Sequence, residues 1–375
     1  VPHASAGITD IALRLHAELT DAAQAGDTPL STRARNLLKE REPMSAPPEV
    51  VLLGTSGGPR WRRARAGIAS AVTVGDAVYL VDCGYGVGRQ MIRAGLGLDR
   101  LRGVFVTHMH SDHTVDFFSL LLYGWYENLE GIDRPVTALG PGDRGAVPPA
   151  SPHAQVPPPT ICPDSPTPGL AEMTGHLMRA FATDVNDRLR DNLRRPPEEL
   201  LTARDIELPE TVAFHPDRNP CPPVRPFDIY EDDRVRVRAT LVQHAPVAPA
   251  FAFRFDTDEG SVVFSGDTGV CDNLLELAAD ADVLVHEVID EQWVHQRYEG
   301  GRTEQQRSMI DHHLTAHTPI PDTGRVAEKA GVRKLVLTHF VPGELERPRW
   351  HAAAEEFSGT LIVGEDLTRI PLSRS

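Results

Sequence analysis

His108, His110, Asp112 and His113 place three imidazoles and a carboxylate within the six residues His-Met-His-Ser-Asp-His. The cluster follows the apolar run Gly103-Val-Phe-Val106, which has the pattern of a buried strand. A strand ending in this way presents all four side chains on one tight loop. Imidazole together with carboxylate suits zinc, and also manganese or iron. A solvated His-rich loop is the alternative, and the density of ligand-type residues argues against it.

Three further candidates also follow β-type runs. His244 comes after Val235–Val242, Asp267 ends Val262-Val-Phe-Ser-Gly-Asp267, and His339 ends Lys334-Leu-Val-Leu-Thr-His339. Loops at one edge of a sheet gather such residues. One zinc takes four protein ligands, or three plus water. Seven ligands with one shared carboxylate therefore fit two ions.

These pieces, with Leu53-Gly-Thr-Ser56, Leu80-Val-Asp-Cys-Gly84, Ser265-Gly-Asp-Thr268, Val285-His-Glu287 and Ala316-His-Thr318, resemble the metallo-β-lactamase superfamily over about residues 50–375. The similarity is to its ribonuclease Z and arylsulfatase-like branch. A β-lactamase of this superfamily usually has Cys where Asp267 stands, so Asp267 argues for the hydrolases. The resemblance implies an α/β fold, the αβ/βα four-layer sandwich, here with a helical, Pro-rich cap insertion. It implies that His108, His110 and His244 hold one divalent ion and Asp112, His113 and His339 a second, with Asp267 bridging. Zinc is the expected metal, with manganese or iron as alternatives. Two close ions share a water and lower its pKa, so hydroxide is available at neutral pH.

Three catalytic roles follow from the same resemblance. Asp112 is expected to act as ligand and as the acceptor that orients the bridging water. His317 lies 22 positions before His339. It is expected to face substrate and to stabilise developing charge or protonate the leaving group. Glu287 is expected to orient His317, a structural ion pair being the alternative. His312 and His313 read as solvent-facing, with pocket lining as the alternative. Trp125 and Tyr126 read as core, or as the wall of an aromatic pocket.

The chain has 375 residues, 41% hydrophobic and 24% charged, the composition of a soluble globular protein. It contains no 18-residue apolar run, so no membrane span is expected. No signal peptide is visible, which leaves cytoplasmic and secreted locations both open. Cys83 and Cys271 read as small apolar packing residues, whereas Cys162 and Cys221 could pair in an exported protein.

Four segments are expected. Residues 1–46 read as a helical extension, amphipathic over Ile8–Ala23 and suited to contact within a homodimer. Residues 47–140 carry the first half of the domain, with a helix expected over Val115–Tyr126. Residues 141–230 form the insertion, with proline-dense ends and a helix over Thr167–Leu193. Residues 231–375 carry the second half.

The substrate expectation rests on two absences. Ribonuclease Z proper inserts its tRNA-gripping arm between the His244-type and Asp267-type ligands, and only 23 residues separate them here. The net charge of −15 offers no general basic field for RNA, although Arg60–Arg65 is a local basic patch. Together these predict a small-molecule anionic ester, a phosphodiester or aryl sulfate, with no nucleic-acid partner and no tRNA 3′ processing. Lactone or acyl-ester hydrolysis, a role in specialised metabolism, di-iron redox chemistry and a non-catalytic binding protein are the alternatives.

Overall fold

Strict alternation along the strands builds the layers. In β1 (Glu49–Gly54), Val50 and Leu52 enter one core while Val51 and Leu53 enter another, all four fully buried. The computed structural model describes residues 47–298, 301–345 and 347–372. The expected extension over 1–46 lies outside them.

The first sheet adds β2 (Ala69–Val74), β3 (Ala77–Val81), β4 (Leu101–Phe105), β5 (Val136–Gly140), β6 (Leu201–Asp205) and the C-terminal β14 (Arg369–Pro371), in the order β14-β1-β2-β3-β4-β5-β6. The second contains β7 (Phe227–Glu231), β8 (Arg236–Leu241), β9 (Phe251–Asp256), β10 (Ser261–Phe264), β11 (Val283–Ile289), β12 (Lys334–Val341) and β13 (Thr360–Val363), in the order β13-β12-β11-β10-β9-β8-β7. Each sheet runs through three antiparallel pairings and then three parallel ones.

The facing sides of the sheets share one core, rich in Phe105, Phe253, Phe255 and Tyr79. Helices cover the outer faces. Val87–Ala94 packs on the first sheet through Val87 and Met91. Asp272–Ala278 and Ile320–Ala330 pack on the second through Leu274, Leu277 and Val326. This is the expected αβ/βα four-layer sandwich. No helix among the described residues is long and apolar enough to cross a membrane.

Two expected helices are broken. Val115–Tyr126 resolves into a short helical turn at Ser119–Leu122 and a 3-10 turn at Gly124–Tyr126, with a separate turn at Ser111–Thr114 before it. Ser119 Oγ donates to the Asp116 carbonyl at 2.6 Å, the local side-chain bond that competes with helix propagation. Thr167–Leu193 becomes Leu170–Ala180 and Ala182–Arg190, joined at Phe181. The Phe181 ring stacks on Phe118 with centroids 5.6 Å apart, which holds the break in place. Strand β6, within 141–230, and strand β7, which crosses its end to Glu231, extend the two sheets rather than stand apart from them.

Candidate metal centre

Parallel pairing decides which strand ends share an edge. β8, β10, β11 and β12 run in one direction, so the turns after them open on one side. His244, Asp267, Glu287 and His339 arrive from these four strands. β3 and β4 are likewise parallel, and they deliver Asp82 and the loop His108–His113.

Two backbone features aim the side chains. Gly266 has φ +58°, and a Cβ there would meet the Phe251 carbonyl at 2.6 Å, so the turn that presents Asp267 requires glycine. In β12 the register slips: Thr338 pairs with Glu287 and Phe340 with Val288, leaving His339 as an unpaired extra residue with φ +44°. A bulge of this kind re-aims a side chain. The β-type run that the sequence shows ending at His339 in fact continues past the bulge to Val341.

All seven candidate ligands converge. His110 Nδ1 lies 3.1 Å from His108 Nε2 and 3.2 Å from His244 Nε2. His339 Nε2 lies 3.4 Å from Asp112 Oδ2, and His113 Nε2 lies 3.6 Å from the same oxygen. Asp267 sits between the groups, Oδ1 at 3.4 Å from His113 Nε2 and Oδ2 at 3.2 Å from His339 Nε2 and 3.9 Å from His108 Nε2. Ring nitrogens about 2.1 Å from one tetrahedral ion stand roughly 3.4 Å apart. The observed spacings fit that figure. His113 Nε2 and Asp267 Oδ1 are also buried without a hydrogen-bond partner, which is costly unless a cation meets them.

Charge within the site follows from burial and proximity. Burial pushes His108 and His244 well below the ordinary imidazole range, which leaves them neutral and able to coordinate. Burial also lowers His113, but Asp267, Asp82 and Asp112 outweigh it and hold that ring well above the ordinary range. Burial opposes ionisation of Asp267, yet the surrounding histidines, His339 and His113 foremost, keep it ionised.

The outer partners set the tautomers. His244 Nδ1 donates to the Ala316 carbonyl at 2.9 Å, so Nε2 is the lone-pair atom facing the centre. His113 Nδ1 lies 2.8 Å from Asp82 Oδ2. Thr107 N and Oγ1 donate to Asp82 at 2.8 and 2.9 Å, fixing that carboxylate in turn. Sequence reading left Asp82 without a role, although it lies in the quoted Leu80–Gly84 motif.

Above the ligands lies a cavity of about 360 Å³ lined in part by His110, Asp112, His317 and His339. His317 Nδ1 lies 3.1 Å from Glu287 Oε1, and Thr268 N and Thr318 N donate to that same oxygen at 3.1 Å each. Nδ1 therefore carries the proton and Nε2 is left for the cavity. Burial brings His317 down to about 4. Gly58 N donates to Asp112 Oδ2 at 3.0 Å.

His312 and His313, expected to face solvent, are half-buried and line the cavity with Trp293 and Tyr298. All four belong to the helices Glu291–Arg297 and Glu304–Ala316 or their ends. Trp125 is core, its Nε1 donating to the Arg195 carbonyl at 3.1 Å, and Tyr126 is exposed. The Arg60–Arg65 patch divides. Arg65 is turned inward to Thr55, Gly343 and Gly364, whereas Arg60 and Arg62 line the cavity and Trp61 is 90% exposed. The four cysteines are free. Cys162 is exposed, and the sulfur beside Cys221 is that of Cys271, so Cys162 and Cys221 are not paired in this structure.

Comparison with known proteins matches a metallo-beta-lactamase superfamily model over residues 63–162 and a beta-lactamase superfamily domain over 168–340. The chain is 32% identical over 325 residues to a protein named Ribonuclease Z from Mycobacterium bovis, taking in 86% of this chain and 97% of that one. It is 31% identical over 330 residues to a Ribonuclease Z from Mycobacterium marinum, with 86% and 98% covered. Among solved structures, human tRNase Z, short form, superposes with a TM-score of 0.57 at 18% identity, covering 86% of this chain and 99% of that one. The metallo-beta-lactamase fold protein YhfI from Bacillus subtilis gives 0.54 at 16% identity, covering 86% and 99%.

These relatives correct two expectations. The exclusion of tRNA 3′ processing is overturned, and so is the expectation of a small-molecule ester substrate with no nucleic-acid partner. The short 244–267 connection and the acidic net charge do not decide which bond a centre of this kind can break.

Proposed function

Because the chain belongs to the metallo-β-lactamase superfamily of metal-dependent hydrolases, in its ribonuclease Z branch, we propose that it is a ribonuclease that hydrolyses a phosphodiester of precursor tRNA at the 3′ side. The convergence of seven donor side chains, with His113 Nε2 and Asp267 Oδ1 buried and without hydrogen-bond partners, carries the reading.

In this proposal His108, His110 and His244 would hold one zinc ion and Asp112, His113 and His339 another, with Asp267 between them. Bound there, the ions supply hydroxide at neutral pH and neutralise charge on the phosphate. The protein's own residues do the rest. Asp112, positioned by the Gly58 N–H, accepts the proton of the attacking water. His317 turns its unprotonated Nε2 to the cavity, where it would take over the proton that Asp112 accepts and pass it to the leaving oxygen. Glu287 keeps the ring facing the cavity by receiving Nδ1–H.

The test is cleavage of a precursor tRNA transcript by protein of measured metal content, beside Asp112→Ala. The proposal expects two equivalents of zinc, a single cut at the 3′ side, and no cut by the folded variant. Unaltered cleavage by Asp112→Ala, or none by the zinc-loaded wild type, would reject it.

A further inference from the structure

The cavity has one wall that the mechanism does not use. Trp293 and Tyr298 stand 6.4 Å apart between ring centroids, and His313 lies 6.3 Å from Trp293 and 5.7 Å from Tyr298. Met309 completes the wall. The wall is anchored by a small separate core of Ile289, Val294, Val341 and Tyr298 itself, on which Trp293 and Met309 pack. The same cavity is lined by Arg60, whose guanidinium has no hydrogen bond or ion pair among the described residues.

An aromatic surface with a free guanidinium in the same cavity is the pairing that binds nucleotides, the rings to a base and the cation to a phosphate. Charge makes it more telling. A chain of net charge −15 gains little from the general attraction of phosphate that dominates most RNA binding. Its affinity for a single strand must come from contacts that need no basic field, and stacking is the strongest of these.

We propose that Trp293, with Tyr298 and His313, forms a nucleobase subsite that stacks the unpaired base next to the scissile phosphate, while Arg60 contacts the adjoining phosphate. The proposal rests on the ribonuclease reading and adds to it where the substrate is held. It also gives a function to the excursion between Glu287 and His317, whose described residues contribute no candidate metal ligand.

The experiment compares an intact precursor RNA with the same RNA made abasic at the nucleotide flanking the cut, using zinc-loaded wild type, Trp293→Ala and Trp293→Phe. Wild type should lose about 5- to 150-fold in kcat/KM on removal of the base, mostly in KM. Trp293→Ala should show a matching loss on intact RNA and little further loss on abasic RNA, and Trp293→Phe should recover much of it. An equal loss on both RNAs would make Trp293 a packing residue and overturn the subsite. So would wild type indifferent to the missing base. Wild type that cuts neither RNA would reject the ribonuclease reading itself, and the subsite with it.

Discussion

Asp82 Oδ2 lies 2.8 Å from His113 Nδ1, a carboxylate behind an imidazole whose other nitrogen is buried and has no hydrogen-bond partner. Such a partner fixes the tautomer and raises the basicity of a metal-binding ring. Asp82→Ala should weaken the ion at the Asp112, His113 and His339 group by about 10- to 100-fold while sparing the other. Chelator competition read as two separate steps checks this. Equal weakening of both steps would refute it.

Gly57 approaches His339 so closely that a Cβ would stand 2.6 Å from its Nδ1 and 2.8 Å from its carbonyl oxygen. One of those atoms is backbone, so the neighbour cannot simply rotate away. Gly57→Ala should displace the bulged histidine, lower stability by about 1–3 kcal/mol in denaturant titration and reduce bound metal. Wild-type stability together with full metal content would show that the bulge yields at no cost.

Glu287 and His317 should act as one unit. His317→Ala is expected to lower kcat by about 100- to 10,000-fold with KM little changed. Glu287→Gln should lower kcat by about 10- to 100-fold. In the His317→Ala background Glu287→Gln should add almost nothing, because its effect runs through the missing ring. Additive losses would assign Glu287 a separate role.

Asp290 caps the helix Glu291–Arg297 by accepting Trp293 N at 3.0 Å, and it pairs with Arg349. Burial pushes its carboxyl up, but the Arg349 hydrogen bond and the Trp293 N–H outweigh this and hold it below the ordinary carboxylate range. A lowered folded pKa means stability that is present above the unfolded value, near 4, and lost as pH falls through the folded value. Asp290→Ala should therefore cost about 0.5–2 kcal/mol at neutral pH, and the gap from wild type should close as pH falls below the ordinary carboxylate range. A gap independent of pH would exclude the ionised carboxylate as its cause.

The strands that end in candidate ligands were legible because each combines an apolar β run with a polar turn. β6 was not legible, since Leu-Thr-Ala-Arg-Asp carries neither alternation nor a solid apolar run; it is a strand because β5 offers an open edge. The helix Glu304–Ala316 did leave a trace in Thr303-Glu-Gln-Gln306, whose side chains form a capping box. Its weak amphipathicity hid the rest. His312 and His313 were misjudged for the same reason: their surroundings come from Trp293, Tyr298 and His317, which proximity in sequence does not reveal. Composition and loop length were read as evidence about substrate, and they were the wrong evidence, because family membership speaks to the bond broken and net charge does not.

The paired pattern of the two sheets has a consequence for taking the molecule apart. His108, His110, Asp112 and His113 belong to the first sheet's loop, whereas His244, Asp267 and His339 belong to the second. Neither proposed ion could find its full set of donors within one sheet, so both would act as rivets across the interface. The C-terminal strand β14 crosses back to complete the first sheet beside β1. A chain cut within 141–230 should therefore yield two fragments that stay associated through a lent strand, and that release each other more readily once the rivets are drawn.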